Sequence, residues 1–362
     1  MTPRLSGLDY LRGLCALGVM VFHYSLWTIG VESSSNILTR IGIYGVSIFY
    51  VLSGLTLYHV YELTLRNTSS SLKLFYLKRF LRIFPLLWFA TWLKILLWWE
   101  LPRTETLITN LTGLFAVYKW HETFAFGAWS IGNELVFYLL FPIFLSLTRK
   151  SAILFHTGIA ITLTIYLVFA FFILDSSIPF LDQWPTYTNP LNQLFLFASG
   201  IWLGYVFKNI TVSQTLLRFV LLAALLTFVF YPITGERIEL ITGSNRIILT
   251  ITAISSCLAF YKMQFNFPNL IDYPLSKLGH CSYSLYLLHA ILFKAATKIS
   301  EIWGNYVFQI PISLFLPLAG IATIMVSYAV YYYFESYFTK RERQIGIYES
   351  LERISFRKNQ VS

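Results

Sequence analysis

A few ionisable side chains stand in stretches that are otherwise almost wholly apolar. They are Asp9, Arg12 and His23 early in the chain, Glu134 near its middle, and His289 late. A charge in lipid costs several kcal/mol unless it faces a cavity or a partner, so each residue marks a candidate site. His23 follows Arg12 by eleven residues. On a helix that spacing returns to within about 20° of one face, after a rise of about 16.5 Å. A cation at a rim with an imidazole deeper on the same face suits a channel for a long anionic molecule. A neutral imidazole there can take a proton from an attacking hydroxyl. The competing reading of His23 is a neutral histidine that only packs.

A second basic cluster, Lys78-Arg79-Phe80-Leu81-Arg82, precedes an apolar run. Arg79 and Arg82 share a helical face, and their guanidinium forks match phosphate oxygens two at a time. The alternative is an anchor snorkelling to lipid headgroups. Further on, Trp129-Ser130-Ile131-Gly132-Asn133-Glu134 puts a carboxylate four residues after a serine, on one face. Glu134 could hold a hydroxyl acceptor, orient an imidazole, or pair with a buried base. His289 ends the run Ser282-Tyr283-Ser284-Leu285-Tyr286-Leu287-Leu288-His289, and Glu335 closes the last apolar segment. Gly42, Gly45 and Gly54 would let helices approach closely or open a narrow ligand path. No histidine–carboxylate spacing makes a metal site, and no phosphate-binding or dinucleotide loop occurs. A nucleophile elbow is absent too.

The elements that position these groups are membrane spans. Of 362 residues, 56% are hydrophobic and 12% charged, with a mean hydropathy of +0.63. Soluble domains are nearer 25% charged. A span needs roughly 17–25 apolar residues, which predicts an all-α integral membrane protein of about ten spans: residues 8–29, 41–62, 83–99, 129–148, 152–174, 191–207, 216–233, 246–262, 281–298 and 311–335. Residues 107–118 are too short to cross and are expected to be interfacial or re-entrant. Proline and glycine mark span ends, as at Pro142, Pro190 and Pro311. With the N-terminus inside, most of the 27 lysines and arginines fall on the inner side, as cytoplasmic loops require. Both termini are then cytoplasmic. Arg40, Arg103, Lys119, Arg237 and Arg246 fall outside, and Lys94, Arg218, Lys294 and Lys298 fall within spans. This sidedness, rather than nucleic acid, accounts for the net charge of +10. No cleavage site follows the first apolar run, so an uncleaved span is expected. Cys15, Cys257 and Cys281 lie in or beside spans and give no disulfide framework.

Taken together, the motifs resemble the acyltransferase-3 family of integral membrane acyltransferases. Leu8-Asp9-Tyr10-Leu11-Arg12 followed by His23 is similar to its opening motif, and Gly45 to Gly54 to its second-span motif. Lys78 to Arg82, Trp129 to Glu134 with Phe137-Tyr138, and Ser282 to His289 follow in the family's order over nearly the whole chain. Leu135 stands where members often carry a second acid. The chain resembles the stand-alone kind, with a transmembrane domain over 1–338 and a short cytoplasmic tail over 339–362.

The resemblance implies an O-acyltransferase of a bacterial cytoplasmic membrane. Acetyl-CoA or another acyl-CoA would be the donor substrate, with no metal cofactor. The acceptor would be a hydroxyl of a carbohydrate or glycoconjugate. His23 would be the catalytic base, with Glu134 beside it. Arg12, Lys78, Arg79 and Arg82 would hold the donor, and Trp129, Ser130 and His289 would contact substrate. The partners are thus acyl-CoA, a glycan and membrane lipid. Direct transfer and a covalent acyl-enzyme on Ser130, Ser53 or His23 both stay open. A transporter of an anionic solute, or a non-catalytic membrane protein, is the alternative; no internal repeat of the kind transporters often carry is present.

Overall fold

The computed structural model describes residues 5–306 and 311–341, and all regular structure among them is helical. Arg4 and the tail beyond residue 341 lie outside the described residues. The helices are α1 (Ser6–Ile29), α2 (Ile37–Tyr61), α3 (Ser69–Trp98), α4 (Thr104–Thr112), α5 (Phe115–Tyr118), α6 (Ala128–Lys150) and α7 (Ala152–Val168). They continue with α8 (Trp184–Tyr187), α9 (Pro190–Phe207), α10 (Gln214–Phe230), α11 (Gly243–Lys262), α12 (Asn269–His280), α13 (Ser282–Tyr306) and α14 (Ile312–Val330). A π-wound turn extends α7 through Phe169–Ile173, and another extends α14 through Tyr331–Glu335.

Seven described helical stretches are long and apolar enough to cross a membrane: Ile37–Tyr61, Ser69–Trp98, Ala128–Lys150, Ala152–Ile173, Trp184–Phe207, Gly243–Lys262 and Ile312–Arg341. The other three expected spans are helices as well. The first, α10, has 17 residues. The other two, α1 and α13, are long but carry polar groups, Arg12 and His23 on one and His289, Lys294 and Lys298 on the other. Those groups lower the apolarity of the helices that hold the site.

Local chemistry explains the boundaries. Asn36 caps α2 by accepting from the Leu38 amide, and Asn189 caps α9 in the same way with Pro190 as the first helical residue. Thr68 caps α3 by accepting from the Ser71 amide. That cap starts α3 well before the expected residue 83, so Lys78, Arg79 and Arg82 sit within the helix rather than ahead of it. Pro142 is likewise interior to α6 and not at its end; neighbouring helices in membrane proteins supply the packing that tolerates it. Residues 107–118 form the short α4 and α5, parted at Gly113, whose φ of 79° favours glycine.

Close packing settles the glycine question in part. A Cβ on Gly54 would lie 2.0 Å from the Phe197 carbonyl oxygen, and one on Gly200 would lie 2.0 Å from that of Val51. Here α2 and α9 approach backbone to backbone, which only small residues allow. Gly42 meets the Phe22 ring and Gly45 meets Val19, so these glycines serve helix contact.

Two of the cations expected outside are spent internally. Arg40 is 2% exposed and donates to the carbonyls of Ser34, Phe228, Val229 and Tyr231, which closes the C-terminal end of α10. Arg246 donates to Asn192 and stacks on Tyr166, 3.9 Å from the ring centre. Arg40→Ala orphans several buried acceptors at once, and each unmade bond costs about 1–3 kcal/mol. The expected result is an apparent Tm in detergent lower by several degrees, read by thermal melting of the purified variant.

Candidate active site

Helices α1, α2, α3, α6 and α13 enclose a cavity of about 210 Å³. Arg12, Arg79, Arg82, Ser130, Glu134 and Tyr138 are among the residues lining it. Partners behind the wall hold the guanidinium groups in place. Arg12 pairs with Asp9 at 3.2 Å and donates to Thr56. Arg82 pairs with Glu335 at 2.6 Å, and Ser284 donates to the other Glu335 oxygen. Arg79 donates to the Tyr61 hydroxyl and lies over the Tyr61 and Tyr138 rings. Glu134 accepts from Tyr138 at 2.7 Å. Asp9 and Glu335 do not line the cavity, so its surface carries three cations and one carboxylate. A phosphorylated ligand fits that balance.

His23 lies beyond this cavity, in contact with His289. His289 is buried, and its Nδ1 is 2.6 Å from the Tyr286 carbonyl oxygen. A carbonyl can only accept, so this nitrogen carries the proton. In the neutral ring His289 Nε2 is then an acceptor, and it lies 3.1 Å from His23 Nδ1. His23 Nδ1 therefore donates, which leaves the lone pair on its Nε2. The tautomer a general base needs is fixed by one backbone carbonyl acting through a second histidine. Aromatic neighbours pin the His23 ring. Trp27 stacks at 5.3 Å between centroids, and Phe126 meets it edge-on at 5.0 Å.

Tyr286 connects the two regions. Its ring lines the cavity, its hydroxyl meets Ser130 Oγ at 2.8 Å, and its carbonyl fixes His289. The cavity brings together Arg12, Arg79, Arg82, Ser130 and Glu134. It leaves His23, His289, Lys78 and Trp129 out of its lining. Trp129 packs against Trp184 and Tyr187. Among the described residues no hydrogen bond joins Glu134 to His23; the imidazole bonds His289 and also interacts with the Val19 backbone. The sequence reading missed Tyr138 and Tyr286. The signal for Tyr138 is its place four residues after Glu134, on the same helical face. The signal for Tyr286 is its place in the Ser282–His289 motif, three residues before His289.

No group of His, Cys, Asp and Glu among the described residues could hold a metal ion.

A polytopic helical bundle with a basic cavity and a histidine pair next to it defines an integral membrane protein. The acyltransferase domain of the acyltransferase-3 family matches residues 5–332, and the chain belongs to that family. It is similar to the peptidoglycan O-acetyltransferase OatA of Listeria monocytogenes, at 25% identity over 335 residues covering 82% of this chain. The chain spans about half the length of that relative. No solved structure matches it.

Proposed function

We propose that the protein moves an acetyl group from cytoplasmic acetyl-CoA to a hydroxyl of a carbohydrate or glycoconjugate at the outer side of a bacterial cytoplasmic membrane. In this reading it crosses the bilayer ten times with both termini inside. The observation that carries the proposal is the convergence of Arg12, Arg79 and Arg82 on one cavity, with Arg12 on α1, the helix that also holds His23. Coenzyme A brings several phosphates on a long arm, and charge-assisted contacts to arginine are the strong kind. Glu134 would accept from an amide of that arm.

The thioester then reaches His23 past Tyr286, whose hydrogen bond to Ser130 has to yield for it. His23 Nε2 takes the proton of the acceptor hydroxyl as the oxygen attacks the thioester carbonyl. The carbon–sulfur bond breaks, and the departing thiolate takes that proton back from the imidazolium. The products are the ester and free coenzyme A, with no net proton change.

Arginine loss tests the donor site. Arg12→Gln combined with Arg79→Gln is expected to weaken acetyl-CoA binding at least tenfold, because each hydrogen bond to a charged group is worth about 1.5–3 kcal/mol. Raised salt should weaken the wild type in the same direction. Binding measured on the purified protein in detergent decides it; unchanged affinity in the double variant would sink the donor assignment.

A further inference from the structure

A second cavity, of about 390 Å³, opens on the other side of the histidine pair. Its lining includes Trp27, Lys94, Trp98, Phe126, Phe293 and Lys294. Trp27 and Phe126 are the same rings that pin His23, so the wall of this cavity is also the packing shell of the imidazole.

Its place along the bundle is fixed by side-chain contacts. Arg82 lies over Tyr283, and further along both helices Lys294 lies over Trp98, so α3 and α13 run in the same direction. Arg12 marks the first level on α1, and Trp27, against Phe293, marks the second. On each helix the two positions are eleven or more residues apart, a rise of at least about 16 Å. The two cavities therefore sit at opposite ends of one seam, with His23 and His289 between them.

The second cavity also carries charge. Lys94 donates to the Phe124 carbonyl and sits 4.0 Å from that ring's centre. Neither Lys94 nor Lys294 forms an ion pair among the described residues. Two ammonium groups over aromatic walls, the half-buried Lys94 on a helix apolar enough to cross a membrane and the exposed Lys294 on α13, are functional candidates. Aromatic faces suit the apolar faces of a sugar ring, and the ammonium groups suit a carboxylate or phosphate on it.

We propose that this cavity is the acceptor site and that it selects an anionic saccharide, with Lys94 and Lys294 pairing its acidic group. The inference rests on the proposed transfer to a carbohydrate. An acceptor held there would reach His23 from the side opposite to the arginines once the Trp27 or Phe126 ring turns aside, so donor and acceptor would not compete for one opening.

The test uses a matched pair of probes, p-nitrophenyl β-glucuronide and p-nitrophenyl β-glucoside, which differ only at C6, a carboxylate in the first and a hydroxymethyl group in the second. Their binding to the purified chain in detergent is measured by calorimetry. The glucuronide is expected to bind at least tenfold more tightly. That preference should vanish in Lys94→Gln/Lys294→Gln and survive in Lys94→Arg/Lys294→Arg, with thermal melting reporting the fold of each variant. Equal affinity in the wild type, or a preference kept in the glutamine variant, overturns the proposal. Acetyl-CoA binding is measured in parallel. Its absence with the glucuronide preference intact would reject the donor reading and leave this site standing.

Discussion

His23→Ala protein is expected to accumulate in the membrane, bind acetyl-CoA as the wild type does, and transfer acetyl between a hundred and ten thousand times more slowly. The range is that of a positioned proton transfer. Binding should persist because His23 is absent from the arginine cavity, which Tyr286 separates from the histidine pair. Stability should change little. The ring is only half-buried, and its bond to His289 is one neutral hydrogen bond, worth about 1 kcal/mol. Radiolabelled acetyl-CoA supplied to wild type and variant side by side reads both quantities. If the variant turns over at the wild-type rate, the base lies elsewhere and the histidine pair only packs. If donor binding falls together with turnover, the imidazole belongs to the donor site, and the separation of the two regions fails.

How much of this was legible beforehand depended on distance along the chain. Apolar runs such as 41–62 and 191–207 declare their helices because lipid demands continuous apolar length. The start of α3 did not declare itself, since Ser69 to Leu77 is too polar to look like a span and is set by the Thr68 cap. The helix α12, short and amphipathic, was missed for a similar reason; it packs on α1 where Gly13 meets Gly279 and the Tyr10 hydroxyl bonds Asp272. Arg40 reads from sequence as a loop cation, yet its charge is used on the carbonyls at the end of α10. Arg12 and Glu134 were singled out as ions in apolar segments, and Arg79 and Arg82 as a basic pair on one helical face just ahead of one. Their meeting in one cavity is a tertiary fact that no local spacing encodes. The same holds for His23 and His289, which are 266 positions apart. Lys94 and Lys294 were visible only as cations within spans, and it took the folded seam to set them beside the Trp27 and Phe126 rings.

The pairing of the histidines leads to the second large effect. His289→Phe fills much of the same space but offers no acceptor to His23 Nδ1 and no donor to the Tyr286 carbonyl. The His23 proton is then free to sit on Nε2, where it blocks the base. The Tyr286 carbonyl keeps its place in the backbone ladder of α13 but loses the imidazole donor, and the wall that His289 shares with Trp27 and Phe126 is repacked. Turnover should fall about a hundredfold or more, with the apparent KM for acetyl-CoA unchanged, since the arginine cavity is untouched. His289→Gln separates orientation from bulk. Its amide N–H can donate to the carbonyl while its oxygen accepts from His23, so the tautomer is restored without an imidazole. That variant should recover to within about tenfold of wild type. If glutamine proves as inactive as phenylalanine, then His289 acts on substrate or proton directly, and the carbonyl does not set the base. Near-normal turnover in both would instead show that His23 finds its tautomer unaided, and that the buried histidine is packing.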